Sequence, residues 1–188
     1  MKLTKTYRRL VRGTTINDLT LLSTDYLNHF NELVMLVEMA ADMPEMLEDA
    51  ADWRFKTYQQ HFADSVFTHK DLAVWAYEHA PEAWRAPLDR CTAALRQRIE
   101  ETLPHLQALQ QSGDAAAFAA EARRFAREVT GRLEAMSALI NGAVDAEEAA
   151  ALGAAAEVAW SEEPTEETRE PSAEARLMGQ SDIDRLFD

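Results

Sequence analysis

Apolar residues recur at spacings of three and four along most of this sequence, which is the periodicity of one face of an α-helix. The longest such stretch predicts a helix over about residues 82–111, and another predicts a helix over residues 115–140. Pro104 lies inside the first of these helices, where we expect a kink or a break. The apolar faces of the two helices comprise Leu88, Cys91, Leu95, Ile99, Thr102, Leu106 and Leu109, and Phe118, Phe125, Val129, Leu133, Met136 and Ile140.

The first half of the sequence carries the same periodicity in shorter pieces. The stretch "TINDLTLLSTDYLNHFNELVMLVEMA" predicts one helix over about residues 15–41. Patterns typical of helix caps predict further helix starts near Asp42, Thr68 and Asp145, and we expect a break near Trp53.

The composition agrees with a helical fold and excludes several classes of partner. Glycine and proline number only six each, and we predict an all-α bundle of four or more helices over residues 1–158. The formal net charge of −14 argues against nucleic acid as a partner. No apolar run is long enough for membrane insertion, and residues 1–13 lack the apolar core of a secretory signal. With its single cysteine, Cys91, the sequence is typical of a cytoplasmic protein.

The basic stretch at the beginning of the sequence has two interpretations. Residues 1–13 contain no acid, and they contain five basic side chains: Lys2, Lys5, Arg8, Arg9 and Arg12. Such a charge run is often a solvated arm or a first helical turn. The alternative is a contact with an acidic surface, including one that belongs to this protein.

The composition changes sharply after about residue 158. The stretch "SEEPTEETREPSAEAR" is rich in acids and contains two prolines but no large apolar side chain. Such a segment cannot bury enough apolar surface to offset the conformational entropy lost on folding. We therefore predict an acidic, disordered and flexible linker over residues 159–178, followed by a separate recognition helix over residues 179–188.

The final segment has the pattern of a short amphipathic helix. Ser181 is a favourable N-cap residue, and Asp182 and Asp184 suit the positive end of a helix dipole. Because an isolated helix of about two turns is marginal in water, we expect this segment to fold against a groove in another protein. Three large apolar residues fall on one side of the predicted helix: Ile183, Leu186 and Phe187.

The stretch "GQSDIDRLF" resembles the short peptides by which the flagellar switch protein FliM and the chemotaxis phosphatase CheZ bind the response regulator CheY. In those families a Gln precedes one or two acidic or polar residues, an aliphatic residue, an acid and a terminal apolar pair. The matching positions here are Gln180, Ser181, Asp182, Ile183, Asp184, Leu186 and Phe187. The resemblance implies binding of a CheY-like response regulator, and hence a non-catalytic signalling partner in bacterial chemotaxis or two-component signalling.

The layout of a helical bundle, a tether and a terminal peptide also resembles CheZ, but the catalytic pair of that family is missing. CheZ-type phosphatases orient the attacking water with Asp-x-x-x-Gln, and this sequence has no such pair. The Glu-x-x-Asn pair of the CheC and CheX phosphatases is also absent. The nearest arrangement is Asp25 with Asn28, so the alternative of a divergent CheZ-like phosphatase places these two residues in the catalytic role.

A third hypothesis is a sensor bundle that binds a metal ion or a small ligand. Two pairs offer metal ligands, namely His29 with Glu32 and His61 with Asp64. Because the Glu-x-x-His order of di-iron bundles does not occur, we expect no metal and no other cofactor. Apolar faces on long helices are compatible with a homodimer. An aromatic-lined groove for a peptide or small ligand is the other form of this hypothesis, and its candidates are Trp53, Tyr58, Trp75, Tyr77 and Trp84.

Overall fold

The computed structural model describes residues 5–158, and within that range the chain forms eight α-helices, one short 3₁₀ helix and no strand. The all-α prediction is confirmed for these residues, whereas the predicted linker and recognition helix, residues 159–188, lie outside them. The 3₁₀ helix spans Thr24–Leu27. The α-helices are Lys5–Leu10 (α1), Asn28–Ala40 (α2), Met46–Asp52 (α3), Tyr58–Asp64 (α4), Lys70–Glu78 (α5), Glu82–Ser112 (α6), Ala115–Ile140 (α7) and Ala146–Val158 (α8).

Helix α6 is the centre of the bundle, since α7 and α8 pack along it and α2 packs on α7. Its predicted apolar face is largely buried, with Leu88, Leu95 and Ile99 almost fully removed from solvent. The helix continues through Pro104, so of the two expected outcomes, a kink or a break, the break is wrong. Buried residues such as Leu106 follow the proline, so tertiary packing holds the helix together despite the missing N–H donor.

The predicted helix over residues 15–41 is wrong in its first third, because helical structure begins only at Thr24. The Asn17 side-chain oxygen accepts hydrogen bonds from the main-chain N–H groups of Leu19 and Thr20, at 2.8 and 3.0 Å. A side chain that binds the main chain in this way stabilises a turn and competes with helix formation. The apolar spacing of this stretch therefore belongs to a folded loop that leads into α2.

The predicted break and one of the predicted helix starts are confirmed. Trp53 ends α3 in an extended conformation. Asp145 caps α8, and its main-chain N–H donates in return to the Glu148 carboxylate at 2.8 Å. The start predicted near Asp42 is wrong, since that side chain accepts a hydrogen bond from Arg123 at 2.5 Å and α3 begins at residue 46.

The short helices α4 and α5 begin differently from one another. Thr57 and Gln60 form a complete capping box at the start of α4, which was not among the predicted helix starts. Helix α5 begins at Lys70, close to the predicted start, but without a side-chain cap. None of the helices within residues 5–158 has both the length and the apolar content that a membrane span requires.

Candidate functional site: a tyrosine-lined cleft

A cavity of about 230 Å³ opens among α4, α5 and α6, beside the extended segment that joins α3 to α4. We call it the tyrosine cleft. Its aromatic lining includes three tyrosines from different elements, and α6 contributes an acid, a hydroxyl and a cation at spacings of three and four. These six residues are Tyr26, Tyr58, Tyr77, Asp89, Thr92 and Arg96.

The three tyrosines of the cleft are packed against one another and held by their hydroxyl groups. The Tyr58 ring stacks on Tyr77 with centroids 4.6 Å apart, and its centroid lies 5.1 Å from that of Tyr26. Tyr58 Oη accepts a hydrogen bond from the Ser23 N–H at 2.9 Å, and Tyr26 Oη donates to the Lys56 carbonyl at 3.0 Å. Burial raises the pKa of all three phenols, so each remains a neutral hydroxyl at physiological pH.

Asp89 is the acid of the tyrosine cleft, and Tyr77 is its partner. The Tyr77 hydroxyl donates to Asp89 Oδ1 at 2.5 Å. Partial burial raises the pKa of Asp89, although the hydrogen bond from Tyr77 lowers it in part. The carboxylate therefore combines a raised affinity for a proton with a fixed orientation.

Thr92 is the second polar group that α6 contributes to the cleft. The residue is only 8% exposed, and its Oγ1 has no hydrogen-bond partner within residues 5–158. It lies close enough to Tyr26 to lower the pKa of that phenol, but the two hydroxyl groups do not form a hydrogen bond, and Tyr26 Oη donates to the Lys56 carbonyl instead. A buried hydroxyl without a partner costs about 1–3 kcal/mol, so a small polar molecule that enters the cleft would relieve this cost.

Arg96 lies at the edge of the cleft, where two contacts fix its guanidinium. The group lies 5.0 Å from the centroid of the Phe55 ring, and Nε donates to Glu100 at 2.7 Å. The cleft thus presents a carboxylate, a hydroxyl and a cation along one side of α6, with aromatic rings across from them. This set of groups is suited to binding a small polar molecule with an aromatic or apolar part.

The candidate catalytic residues Asp25 and Asn28 lie in a different depression, between α2 and α7. Both line this depression of about 290 Å³, so the structure does bring the pair together. Asp25 Oδ2 accepts hydrogen bonds from the hydroxyl groups of Thr15 and Ser23, the latter at 3.0 Å. The Asp25 carboxylate therefore helps to hold the loop that precedes α2.

The candidate metal ligands do not converge on one point. The rings of His29 and His61 lie 5.9 Å apart, but Asp64 pairs with Lys56 at 2.9 Å and Glu32 is exposed on α2. Burial lowers the pKa of His29 to about 4. No group of three or more His, Cys, Asp or Glu side chains within residues 5–158 could hold a metal ion.

Only part of the tyrosine cleft was predicted from the sequence. Tyr58 and Tyr77 were candidates for an aromatic groove, and both line the cleft, but Trp84 is a core residue and Trp75 stacks on His79 with centroids 4.4 Å apart. The polar residues of α6 were not identified. Their signal was present, since they recur at helical spacing beside the apolar face of that helix.

The terminal residues that carry the resemblance to CheY-binding peptides lie outside the described part of the chain. They are Gln180, Ser181, Asp182, Ile183, Asp184, Leu186 and Phe187.

No protein-family model matches the chain, and neither the curated proteins nor the solved structures include one that is similar to it.

Proposed function

We propose that this protein is a cytoplasmic, non-catalytic partner in bacterial chemotaxis or two-component signalling, and that residues 179–188 bind a CheY-like response regulator. The observation that supports this proposal is the pattern from Gln180 to Phe187, in which the polar and apolar positions follow those of known CheY-binding peptides. Its separation from the bundle adds support, since α8 ends at Val158 and an acidic, proline-containing stretch follows.

The tether gives this arrangement a physical advantage. A flexible chain of about 20 residues has a root-mean-square reach of roughly 25 Å. A regulator held by the terminal peptide would therefore be present at a local concentration near the millimolar range around the bundle. Capture by the peptide could in this way strengthen a second, weak contact with the bundle.

Three apolar side chains supply the expected binding energy of the peptide: Ile183, Leu186 and Phe187. Full burial of side chains of this size is worth about 1.5–3 kcal/mol each. Truncation of Phe187 to Ala should weaken binding roughly tenfold to a hundredfold. Arg185 occupies the variable position of the pattern, so Arg185→Ala is the matched control and should have a much smaller effect.

The test is a titration of a labelled peptide of residues 172–188 against CheY-type regulators in phosphorylated and unphosphorylated forms. We expect binding that Phe187→Ala weakens and Arg185→Ala preserves. If no regulator binds with a Kd below about a millimolar, or if the two variants bind equally well, the proposed function is wrong.

The tyrosine cleft favours a second candidate function, a bundle that senses a small ligand. The specific observation is the buried hydroxyl of Thr92, which lines the cleft and has no partner within residues 5–158. Ligand-observed NMR with a panel of small aromatic amines and amino acids would test this function. A compound that gives binding signals with the wild type but not with Thr92→Val would support the sensing function. A panel in which no compound binds would contradict it.

A further inference from the structure

Helix α1 and the residues just after it present an exposed cationic surface, which we call the basic surface and define as Arg8, Arg9, Leu10 and Arg12. All four side chains are exposed, and Leu10 retains 51% of its accessible area. The ion pairs found within residues 5–158 all involve other basic residues. A cationic surface without a carboxylate partner in that range is unusual in a chain with a net charge of −14.

The basic surface is held in place by the opposite side of the same segment. The Tyr7 ring contacts Trp75 and His79 edge-on, with centroids 5.2 and 5.5 Å apart. Val11 is 1% exposed, and its carbonyl accepts a hydrogen bond from the Thr14 hydroxyl at 2.6 Å. Because residues 7 and 11 face the bundle, the arginines face outward on a fixed scaffold.

The described chain ends within reach of the basic surface. Helix α1 packs on the end of α5 at His79, and α6 begins three residues later, at Glu82. Helix α8 passes close to the beginning of α6, since a Cβ on Gly153 would lie 2.9 Å from Pro87 Cα. Ala156 lines a cavity with Cys91 and Leu95, so α8 runs along α6 away from its first turn and ends beside the first half of that helix. An extended chain spans about 3.3–3.6 Å per residue and a helix rises about 1.5 Å per residue, so residues 159–174 are long enough to reach back to α1.

We propose that the acidic segment of residues 162–174 docks on the basic surface of the same chain. The segment begins just after Val158, and apart from Arg169 its charged residues are all acids. The acids are Glu162, Glu163, Glu166, Glu167, Glu170 and Glu174. The contact joins charges of opposite sign through a short covalent connection, so its effective concentration lies in the millimolar range or above.

Docking of the acidic segment shortens the free tether before residue 179, so the terminal peptide is presented beside α1. A separate acidic protein or an anionic membrane has no such covalent advantage, and each must compete with the tethered segment. Because exposed charges form the contact, raised salt releases it. The contact itself does not depend on the regulator-binding function proposed above.

Energy transfer between two dyes tests the proposal in the full-length protein. In a Cys91→Ala background, Thr6→Cys places one dye beside the basic surface and Ser172→Cys places the other in the acidic segment. We expect high transfer at about 20 mM salt and at least a twofold loss at about 500 mM salt. Arg8→Glu with Arg9→Glu should abolish the salt-sensitive transfer. The same should follow from Glu→Gln changes at positions 162, 163, 166 and 167.

The matched control is Arg54→Glu with Arg127→Glu, which reverses two exposed arginines elsewhere on the bundle and should leave the transfer unchanged. Circular dichroism checks that each variant keeps its helicity. Transfer that is insensitive to salt, or equal in the two arginine variants, would overturn the proposal. Equal binding of phosphatidylserine vesicles by the full-length protein and by a protein truncated after residue 160 would also overturn it, because a docked segment must compete with the lipid.

Discussion

The two halves of the bundle are built in different ways, although both are helical. Residues 5–81 form short helices joined by loops, whereas residues 82–158 form α6 and α7, the two longest helices of the described chain, followed by α8. The stacked and edge-on ring pairs found within residues 5–158 all lie between Tyr7 and His79. We call these regions the aromatic half and the long-helix half.

The two halves also differ in the kind of side chain that they bury. The aromatic half buries Tyr26 and Tyr58, whose hydroxyl groups have main-chain partners, and His29, whose Nε2 has no hydrogen-bond partner within residues 5–158. The long-helix half buries mainly aliphatic side chains, which need only a complementary shape. The tyrosine cleft lies where the two halves meet, so α6 supplies a rigid side and the aromatic half supplies the rings.

The largest expected effect is a loss of stability on truncation of a buried ring. It tests whether a ring inside the aromatic cluster contributes more to the free energy of unfolding than a buried ring outside that cluster. Phe30 and Phe125 are both fully buried, one in each half. Truncation of either to Ala should cost about 3–5 kcal/mol. Phe30→Ala should lie at the upper end, because Phe30 also loses ring contacts with Tyr26 and Trp53, whose centroids lie 5.4 and 5.9 Å away. Urea unfolding of both variants measures the difference, and an equal or smaller loss for Phe30→Ala would contradict the comparison.

The next effect is a dependence of the free energy of unfolding on pH, and it arises from a histidine of the aromatic half. Burial lowers the pKa of His29 from its ordinary value of 6.5 to about 4. The unfolded state therefore binds the proton more tightly, and the free energy of unfolding decreases as the pH falls from about 6.5 towards 4. This histidine alone should account for roughly 2 kcal/mol between pH 7 and pH 5.

The check on the histidine effect is chemical denaturation of the wild type and His29→Leu at both pH values. The wild type should lose about 2 kcal/mol more stability than the variant on acidification. Carboxylates titrate in both proteins, so the difference isolates His29. Burial also lowers the pKa of His61, which acts in the same direction but remains in the variant. Parallel pH curves for the two proteins would show that His29 is not the responsible group.

The sequence predicted the long-helix half better than the aromatic half, for a physical reason. Periodicity identified the faces of α6 and α7 because long helices present the same face many times. The loop before α2 is held by individual side-chain hydrogen bonds, among them those of Asn17 and Asp25, and hydrophobic spacing does not report such contacts. The tyrosine cleft combines residues far apart in sequence, so only the tertiary contacts bring Tyr26, Tyr77 and Thr92 together.

A smaller effect on stability compares two threonines of α6, one that lines the tyrosine cleft and one that does not. Thr92 and Thr102 each bury an Oγ1 that has no partner within residues 5–158, but only Thr92 lines the tyrosine cleft. Replacement of either by the similarly shaped Val should raise the stability of the unliganded protein by about 1 kcal/mol. Thermal unfolding measures this gain. Only Thr92→Val should also alter ligand binding, and an equal effect of Thr102→Val on binding would remove the special role of the cleft.

The smallest expected effect is that of Asn28 on the lifetime of a phosphorylated regulator. Asn28 lies in the aromatic half but outside the cleft. The alternative of a divergent phosphatase requires Asp25 and Asn28 to orient a water molecule near a captured phospho-regulator. Asp25 Oδ2 is already engaged by two hydroxyl groups of the preceding loop. We therefore expect that neither the wild type nor Asn28→Ala changes the lifetime of the phosphorylated regulator.

The measurement is the decay of phosphate from a CheY-type regulator with and without this protein, at concentrations that saturate the terminal peptide. A matched pair separates binding from catalysis, because Phe187→Ala should release the regulator while Asn28→Ala should retain it. An acceleration of about tenfold, equivalent to about 1.4 kcal/mol of transition-state stabilisation, would contradict the non-catalytic assignment if Asn28→Ala removed it. An acceleration that survived Asn28→Ala but not Phe187→Ala would also make the protein a phosphatase, with its catalytic groups elsewhere on the bundle. If the peptide titration shows binding and the decay is unchanged throughout, the protein captures the regulator without acting on its phosphate.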